Sequence, residues 1–171
     1  MDDVLFDWSG AVLKLFNSNV RIEECKNWNF TENLGISNHE LWTKIESTPG
    51  FWENLELLPW ARELYKSLCL RYEVYICSAP SRDPECWSGK IISLREKLKV
   101  LSSRAILVND KFLLAKPGTF LLDDRISNVT KFQDHGGTGI LFERPWNVNN
   151  VEKNKVHYIY NLKTQDIESN K

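Results

Sequence analysis

Histidine and cysteine are scarce in this chain, and neither is arranged to hold a metal. The three histidines (His39, His135 and His157) are scattered, and the four cysteines (Cys25, Cys69, Cys77 and Cys86) lack any Cys-x-x-Cys spacing. No zinc site is therefore expected. Cys77 falls inside an apolar strand pattern and reads as a reduced core thiol. An excess of either charge is also missing: 22 Lys and Arg stand against 23 Asp and Glu, a net charge of −1. Such a balance offers no basic footprint for duplex nucleic acid or an anionic membrane. Apolar runs of transmembrane length are absent. Met1-Asp2-Asp3 opens the chain on acid, without the cationic start and apolar stretch of a signal peptide. A cytoplasmic setting is the resulting expectation.

What is there is the composition of one globular domain with room for a small insertion: 171 residues, 42% hydrophobic and 26% charged. Up to Leu70 the pattern is helical or irregular. Residues 11–16 have helical spacing, while 17–36 are polar and aromatic without a period. Ser37 and Glu40 form a capping-box pattern that opens a helix to about Ser47, and Thr48-Pro49-Gly50 breaks it. Pro59 then opens a helix over 60–70. From Tyr72 strands and helices alternate. Strands are expected at 73–77, 105–108, 119–122 and 139–142, with helices over 87–98 and from Arg125 to about His135. This alternation predicts an α/β fold with a doubly wound parallel sheet. The tail, 151–171, is charged, and 156–162 reads as an edge strand or a packing segment.

The chemistry centres on 119–128, T-F-L-L-D-D-R-I-S-N. Its apolar run suits a strand buried on both faces, which would deliver Asp123 and Asp124 to the ligand-binding end of the sheet. Adjacent carboxylates there suit a hard cation such as Mg²⁺; the plainer alternative is a helix start capped by Asp124. Ser78, directly after the 73–77 strand, offers a hydroxyl and backbone N–H groups to a phosphate oxygen, or simply ends the strand. Lys111 and Lys116 precede the Asp pair and could neutralise phosphate, although a solvated loop is the commoner fate of a lysine. Phe51 and Trp52 are candidates for stacking on a base, with core packing as the alternative.

A serine at one strand end, then a lysine, then D-D at another, resembles the order found in haloacid-dehalogenase-like phosphohydrolases. The 5′(3′)-deoxyribonucleotidase branch is closer still. Its landmarks are matched in order by F-W-E-N-L-E-L-L-P-W-A-R-E-L-Y-K (51–66), V-Y-I-C-S-A-P (74–80), Asp110-Lys111 and L-L-D-D-R (121–125). G-G-T-G-I-L-F-E-R-P-W-N (136–147) resembles the ending of the microbial and phage members. The resemblance implies a core made of 1–10 and 59–150, a helical cap over 11–58 and a separate tail at 151–171. It implies a Mg²⁺-dependent phosphatase acting on (deoxy)nucleoside monophosphates through an aspartyl-phosphate.

The family's first motif, D-x-D-x-V-x-x-D-aromatic, carries the nucleophile and then the general acid/base. Laid on M-D-D-V-L-F-D-W, it makes Asp2 the acid/base and a Mg²⁺ ligand, and places the nucleophile just ahead of Met1 with most of the first strand missing. A second register makes Asp7 the nucleophile and puts Ser9 at the acid/base position. In either register Ser78, Ala79, a lysine and Arg125 would surround the substrate, and Asp123 or Asp124 would complete the metal site. Asp3 stands where the family has glycine, which leaves the shape of the first loop open. The rival class is a non-catalytic nucleotide- or phosphate-binding protein of the same fold.

Overall fold

The structure is a computed structural model and describes residues 1–148. The charged tail and its candidate strand at 156–162 lie outside the described residues. Residues 1–7 form a tight loop in which the Leu5 and Phe6 amides both donate to the Met1 carbonyl, at 2.9 and 3.3 Å. This loop makes only isolated bridges, Asp2 with Phe6 and Phe6 with Leu57. Asp3 sits in it with φ 54°, the left-handed conformation that glycine adopts without cost. The loop therefore keeps a glycine-like turn with a side chain on it.

Helices fill the next stretch. Asp7 caps α1 (Trp8–Leu15) by accepting from the Gly10 amide at 3.0 Å. A short helix α2 (Phe30–Leu34) ends at Gly35, whose φ of 66° permits the left-handed stop. Helix α3 (Asn38–Glu46) starts on the expected capping box, with Ser37 Oγ accepting from the Glu40 amide and Glu40 bonded back to Ser37 N–H. Two backbone bonds tie the stems of this helical stretch together, Asp7 N–H to the Glu56 carbonyl and Leu58 N–H to the Leu5 carbonyl, both 2.9 Å. Its interior is continuous with the rest of the core, where Phe6, Val12, Ile45, Leu55, Ala61 and Leu94 are all fully buried.

The second half carries the alternation read from the sequence. Helix α4 (Ala61–Cys69) leads to β1 (Ile76–Ser78), α5 (Pro84–Leu98), β2 (Ala105–Leu107), β3 (Phe120–Asp123), α6 (Ile126–Asp134) and β4 (Thr138–Leu141). Asp83 caps α5 and Pro84 occupies its first turn, so this helix begins earlier than its apolar pattern suggests. All the pairing is parallel, but among the described residues the sheet falls into two halves, β1 with β2 and β3 with β4. β1 is also shorter than expected, and Tyr75 ahead of it is exposed under the Arg104 guanidinium. Nor is β3 buried on both faces: Phe120 is exposed and Leu122 half-buried. Among the described residues no strand pairs between β1 and β3, so each has one hydrogen-bonded neighbour.

Helix α5 approaches the helical stretch closely at Gly89. A Cβ there would stand 2.7 Å from Trp52 Cβ and 3.0 Å from the Glu53 amide nitrogen. Gly89→Ala is expected to overpack this contact at a cost of about 1–3 kcal/mol. That corresponds to a fall in Tm of about 2–10 °C in a chain of this size. An unchanged thermal melt would mean that α5 shifts freely against Trp52.

Candidate active site

Two strand ends build the site. At the end of β1, Ser78 is buried and its hydroxyl lies 3.2 Å from Asp2 Oδ2. Between them comes Lys90 from α5, which the sequence reading did not pick out. Its ammonium lies 2.5 Å from Asp2 Oδ2, 2.9 Å from Ser78 Oγ and 2.9 Å from the Ala79 carbonyl. The Lys90 side chain is 1% exposed, that of Asp2 26%. Trp52 lies under the same ammonium, with the ring centre 4.7 Å from Nζ. A signal for Lys90 did exist: it falls on the stripe Cys86, Gly89, Lys90, Ser93 and Leu94 that α5 buries. A lysine on such a stripe must find an acid or leave the stripe.

At the end of β3 the two aspartates part company. Asp123 accepts from Lys111 Nζ at 2.5 Å through Oδ2, and from the Arg125 amide and Asn128 Nδ2 through Oδ1. Helix α6 follows Arg125 without a side-chain cap, so neither Asp123 nor Asp124 plays that part, and Asp123 only braces the entry through the Arg125 amide and the Asn128 side chain. The Asp123 oxygens are committed to protein donors. Lys111 reaches it because a single 3₁₀ turn (Lys111–Leu114) folds the lysine back onto the strand end. Lys116 is exposed on the turn before β3 and is not brought to this cluster.

Asp124 is buried beside Asp123, and Asn147 clamps its main-chain carbonyl with a 2.7 Å bond from Nδ2. Asn147 also bonds the Phe142 carbonyl and accepts from the Arg144 amide, so 144–147 folds back over the two acids. Asp3 lies in the same pocket, held by the Ser9 amide and hydroxyl at 3.0 and 2.7 Å, with Arg144 at 3.8 Å. Ser9 and Asp7 are thus occupied in holding the first loop and capping α1.

These contacts set the charges. Burial would raise Asp2, but the Lys90, Met1 and Lys111 cations outweigh it and hold that carboxyl below its ordinary value. Burial likewise opposes charge on Lys111, and Asp123 overcomes it, so the lysine stays an ammonium. Burial and the Asp123 charge push Asp124 up to about 7. Burial and the Asp124 charge push Asp3 up to about 8, against the Ser9 bonds.

Two carboxyls have unspent capacity. Asp2 Oδ1 is buried without a partner, and the raised Asp124 marks an acid short of cations. Among the described residues no three His, Cys, Asp or Glu side chains form a cage of their own. Mg²⁺ fits this donor set nonetheless, because it takes one or two carboxylates and fills its remaining positions with water and substrate phosphate.

The aromatic candidates sit differently from each other and from the simplest expectation. Phe51 and Trp52 are 8% and 4% exposed and pack edge to face, 5.2 Å apart. Trp52 Nε1 is buried without a partner. Arg125 is exposed and stacks on Trp28, with its guanidinium 3.8 Å from the ring centre. Among the described residues no helix is long and apolar enough to cross a membrane.

Comparison with known proteins places these residues in context. The family model described as 5′ nucleotidase, deoxy (Pyrimidine), cytosolic type C protein matches residues 1–164. A protein of Staphylococcus epidermidis named "Putative 5′(3′)-deoxyribonucleotidase" is 31% identical over 156 residues, covering 87% of this chain and 83% of its own. One of the same name from Bordetella pertussis is 27% identical over 166 residues, covering 92% and 88%. The 5′(3′)-deoxyribonucleotidase of Bacillus subtilis is 22% identical over 148 residues, covering 86% and 81%.

Proposed function

Since the chain belongs to the 5′ nucleotidase, deoxy (Pyrimidine), cytosolic type C family of phosphatases, we propose that it serves Mg²⁺-dependent hydrolysis of (deoxy)nucleoside monophosphates through an aspartyl-phosphate. The observation that carries this reading is the Asp2–Ser78–Lys90 cluster at one strand end beside Lys111, Asp123 and Asp124 at the next. Lys90, Lys111 and the Ser78 hydroxyl supply the charge and the donor that a phosphoryl group needs as negative charge builds on it. In the register that makes Asp2 the acid/base, the family's nucleophile would be an aspartate joined to the Met1 nitrogen. That nitrogen is buried and feels Lys111, Asp2, Asp123 and Lys90, so a residue attached to it stands inside the cluster.

In the first step the nucleophile's oxygen bonds to phosphorus and the bond to the sugar oxygen breaks. Asp2 gives that oxygen its proton. In the second step Asp2 takes a proton from water, whose oxygen displaces the aspartate and releases phosphate. Lys90 already holds Asp2 Oδ2, so the unpartnered Oδ1 would carry the proton, once the charges of bound phosphate and the nucleophile's carboxylate raise a carboxyl that is held low without them. The nucleophile, the Asp2 main-chain carbonyl and Asp124 would hold Mg²⁺, which would neutralise the phosphate and the crowded carboxylates.

The test is phosphate release from deoxynucleoside monophosphates by a protein with an apolar strand and Asp ahead of Met1, compared with the same protein carrying Asn there. We expect Mg²⁺-dependent turnover from the first, a loss of about 10³-fold or more in the second, and a similar loss on Asp2→Asn. Turnover by the 171-residue chain itself that disappears on Asp7→Asn would transfer the nucleophile to Asp7 and overturn the assignment. Saturable nucleotide binding without turnover in any of them would favour the non-catalytic reading.

A further inference from the structure

The acids of the site are not served alike by its cations. Asp2 has Lys90 and Asp123 has Lys111, each at 2.5 Å. Asp3 and Asp124 are buried as well, and the Asp124 charge acts on Asp3 more strongly than Arg144 does, so the two carboxyls are neighbours. The cation at their end is Arg144, 3.8 Å from Asp3 Oδ1. Its guanidinium is buried against Trp60 and Trp146, with ring centres 5.7 and 5.1 Å away, and its Nε has no partner. The Arg144 amide donates to Asn147, whose Nδ2 holds the Asp124 carbonyl. One turn thus grips Asp124 by its backbone and Asp3 by its charge. On Asp3 the Ser9 amide takes Oδ1 and the Ser9 hydroxyl takes Oδ2. The left-handed turn at Asp3 needs no carboxylate, since glycine adopts it without cost.

We infer that Arg144 is a positioning residue that withholds Asp3 from the metal and so sets which divalent ion the site prefers. The inference rests on the reading of Asp124 as a Mg²⁺ ligand. Mg²⁺ binds through one or two carboxylates and keeps places for water and phosphate, whereas Ca²⁺ takes about 6–8 oxygens at longer range. With Asp3 held back by Arg144 and Ser9, Asp124 is left to serve the smaller ion. Without Arg144, the bound ion becomes the positive charge that draws Asp3. A second carboxylate beside Asp124 then favours Ca²⁺. Losing a cation strengthens the attraction of any divalent ion, and it does so alike for both. The ratio of the two affinities therefore separates coordination from charge.

Calorimetry of the 171-residue protein with MgCl2 and with CaCl2, without nucleotide, gives that ratio. In Arg144→Met the preference for Ca²⁺ over Mg²⁺ should rise about tenfold or more. Arg144→Lys keeps the charge and should leave the ratio near native. Adding Asp3→Asn to Arg144→Met restores the native net charge and should return the ratio too, because asparagine tolerates the left-handed turn. A ratio unmoved by Arg144→Met, or a raised ratio that survives Asp3→Asn, would overturn the proposal. Should Arg144→Met not fold, carbon NMR of the native protein decides. Mg²⁺ should then shift the Asp124 carboxyl carbon strongly and the Asp3 carboxyl carbon weakly; equal shifts would put Asp3 on the metal and sink the inference. A native protein that binds neither ion would remove the Mg²⁺ reading itself. In that case Ca²⁺ binding by Arg144→Met that Asp3→Asn abolishes would still show Arg144 withholding Asp3, and its absence would overturn that as well.

Discussion

Replacing Lys90 with methionine should cost the protein stability at neutral pH and most of that cost should vanish in acid. Methionine keeps much of the volume under Trp52 but removes the cation between Asp2 and Ser78. Removing one partner of a buried pair costs about 3–5 kcal/mol. Asp2 retains some exposure at 26%, so about 1–3 kcal/mol is the better expectation here. The pH sign follows from Asp2. In the native protein its carboxyl is held below the ordinary value, so it stabilises the fold above the unfolded pKa and that contribution is lost as pH falls through the folded one. Without Lys90 the burial that already opposes its charge is less compensated, and its carboxyl should rise. The variant then recovers relative stability as Asp2 takes up a proton. Denaturant melts at pH 7 and pH 4, with a carbon NMR titration of Asp2, test both halves. A Lys90→Met protein equally destabilised at the two pH values would show that Lys90 acts by packing and not by charge.

Asp123→Asn and Asp124→Asn should move stability in opposite directions. Asp123 holds Lys111, the Arg125 amide and Asn128, so its neutral amide strands a buried ammonium at a cost of about 3–5 kcal/mol. Asp124 is the opposite case. Its folded pKa, about 7, lies above the ordinary carboxyl value of 3.8, so the folded state holds a proton that the unfolded state has released. Stability without metal therefore falls as pH rises from about 4 through 7, and Asp3 extends the fall toward 8. Asp124→Asn should flatten this slope and raise Tm at pH 8.

The same change should abolish stabilisation by Mg²⁺. In the native protein Mg²⁺ at a hundredfold over its Kd should add about 2.7 kcal/mol. The effect should be large at pH 8 and weak at pH 5.5, where the ion must compete with a proton. Thermal melts across this pH range, with and without Mg²⁺, separate the cases. A native protein whose Tm ignores Mg²⁺ at pH 8, or an Asp124→Asn protein that still responds, would remove Asp124 from the metal site.

Much of this architecture is legible along the chain because its causes are local. Ser37 and Glu40 lie three residues apart, and the capping box needs nothing beyond that turn. Gly136, with φ 85°, ends α6 for a similarly local reason. Asp123 and Asp124 follow an apolar run, which is enough to put them at a strand end. Which acid does what is not local. Asp123 became the lysine partner because a 3₁₀ turn returned Lys111 rather than Lys116, and that choice depends on the path of a loop in space. Likewise Arg144 and Asn147 look like the end of a motif in sequence, and they become a clamp only when the chain folds back over Asp124.

The sequence by itself determined the alternation of strands and helices, the parallel pairing, the serine and the paired acids at strand ends, and membership of the family. Periodicity, capping and turn chemistry act over a few residues, so one dimension suffices for them. The tertiary structure decided the rest. Lys90 lies 88 positions from Asp2, and only the packing of α5 against the first loop turns a lysine on an apolar stripe into the cation beneath that acid. Among the described residues the parallel strands pair as two halves, β1 with β2 and β3 with β4, where the alternation in sequence predicts one sheet. Whether a strand has one neighbour or two is a property of the assembled sheet, where every backbone donor must find its acceptor.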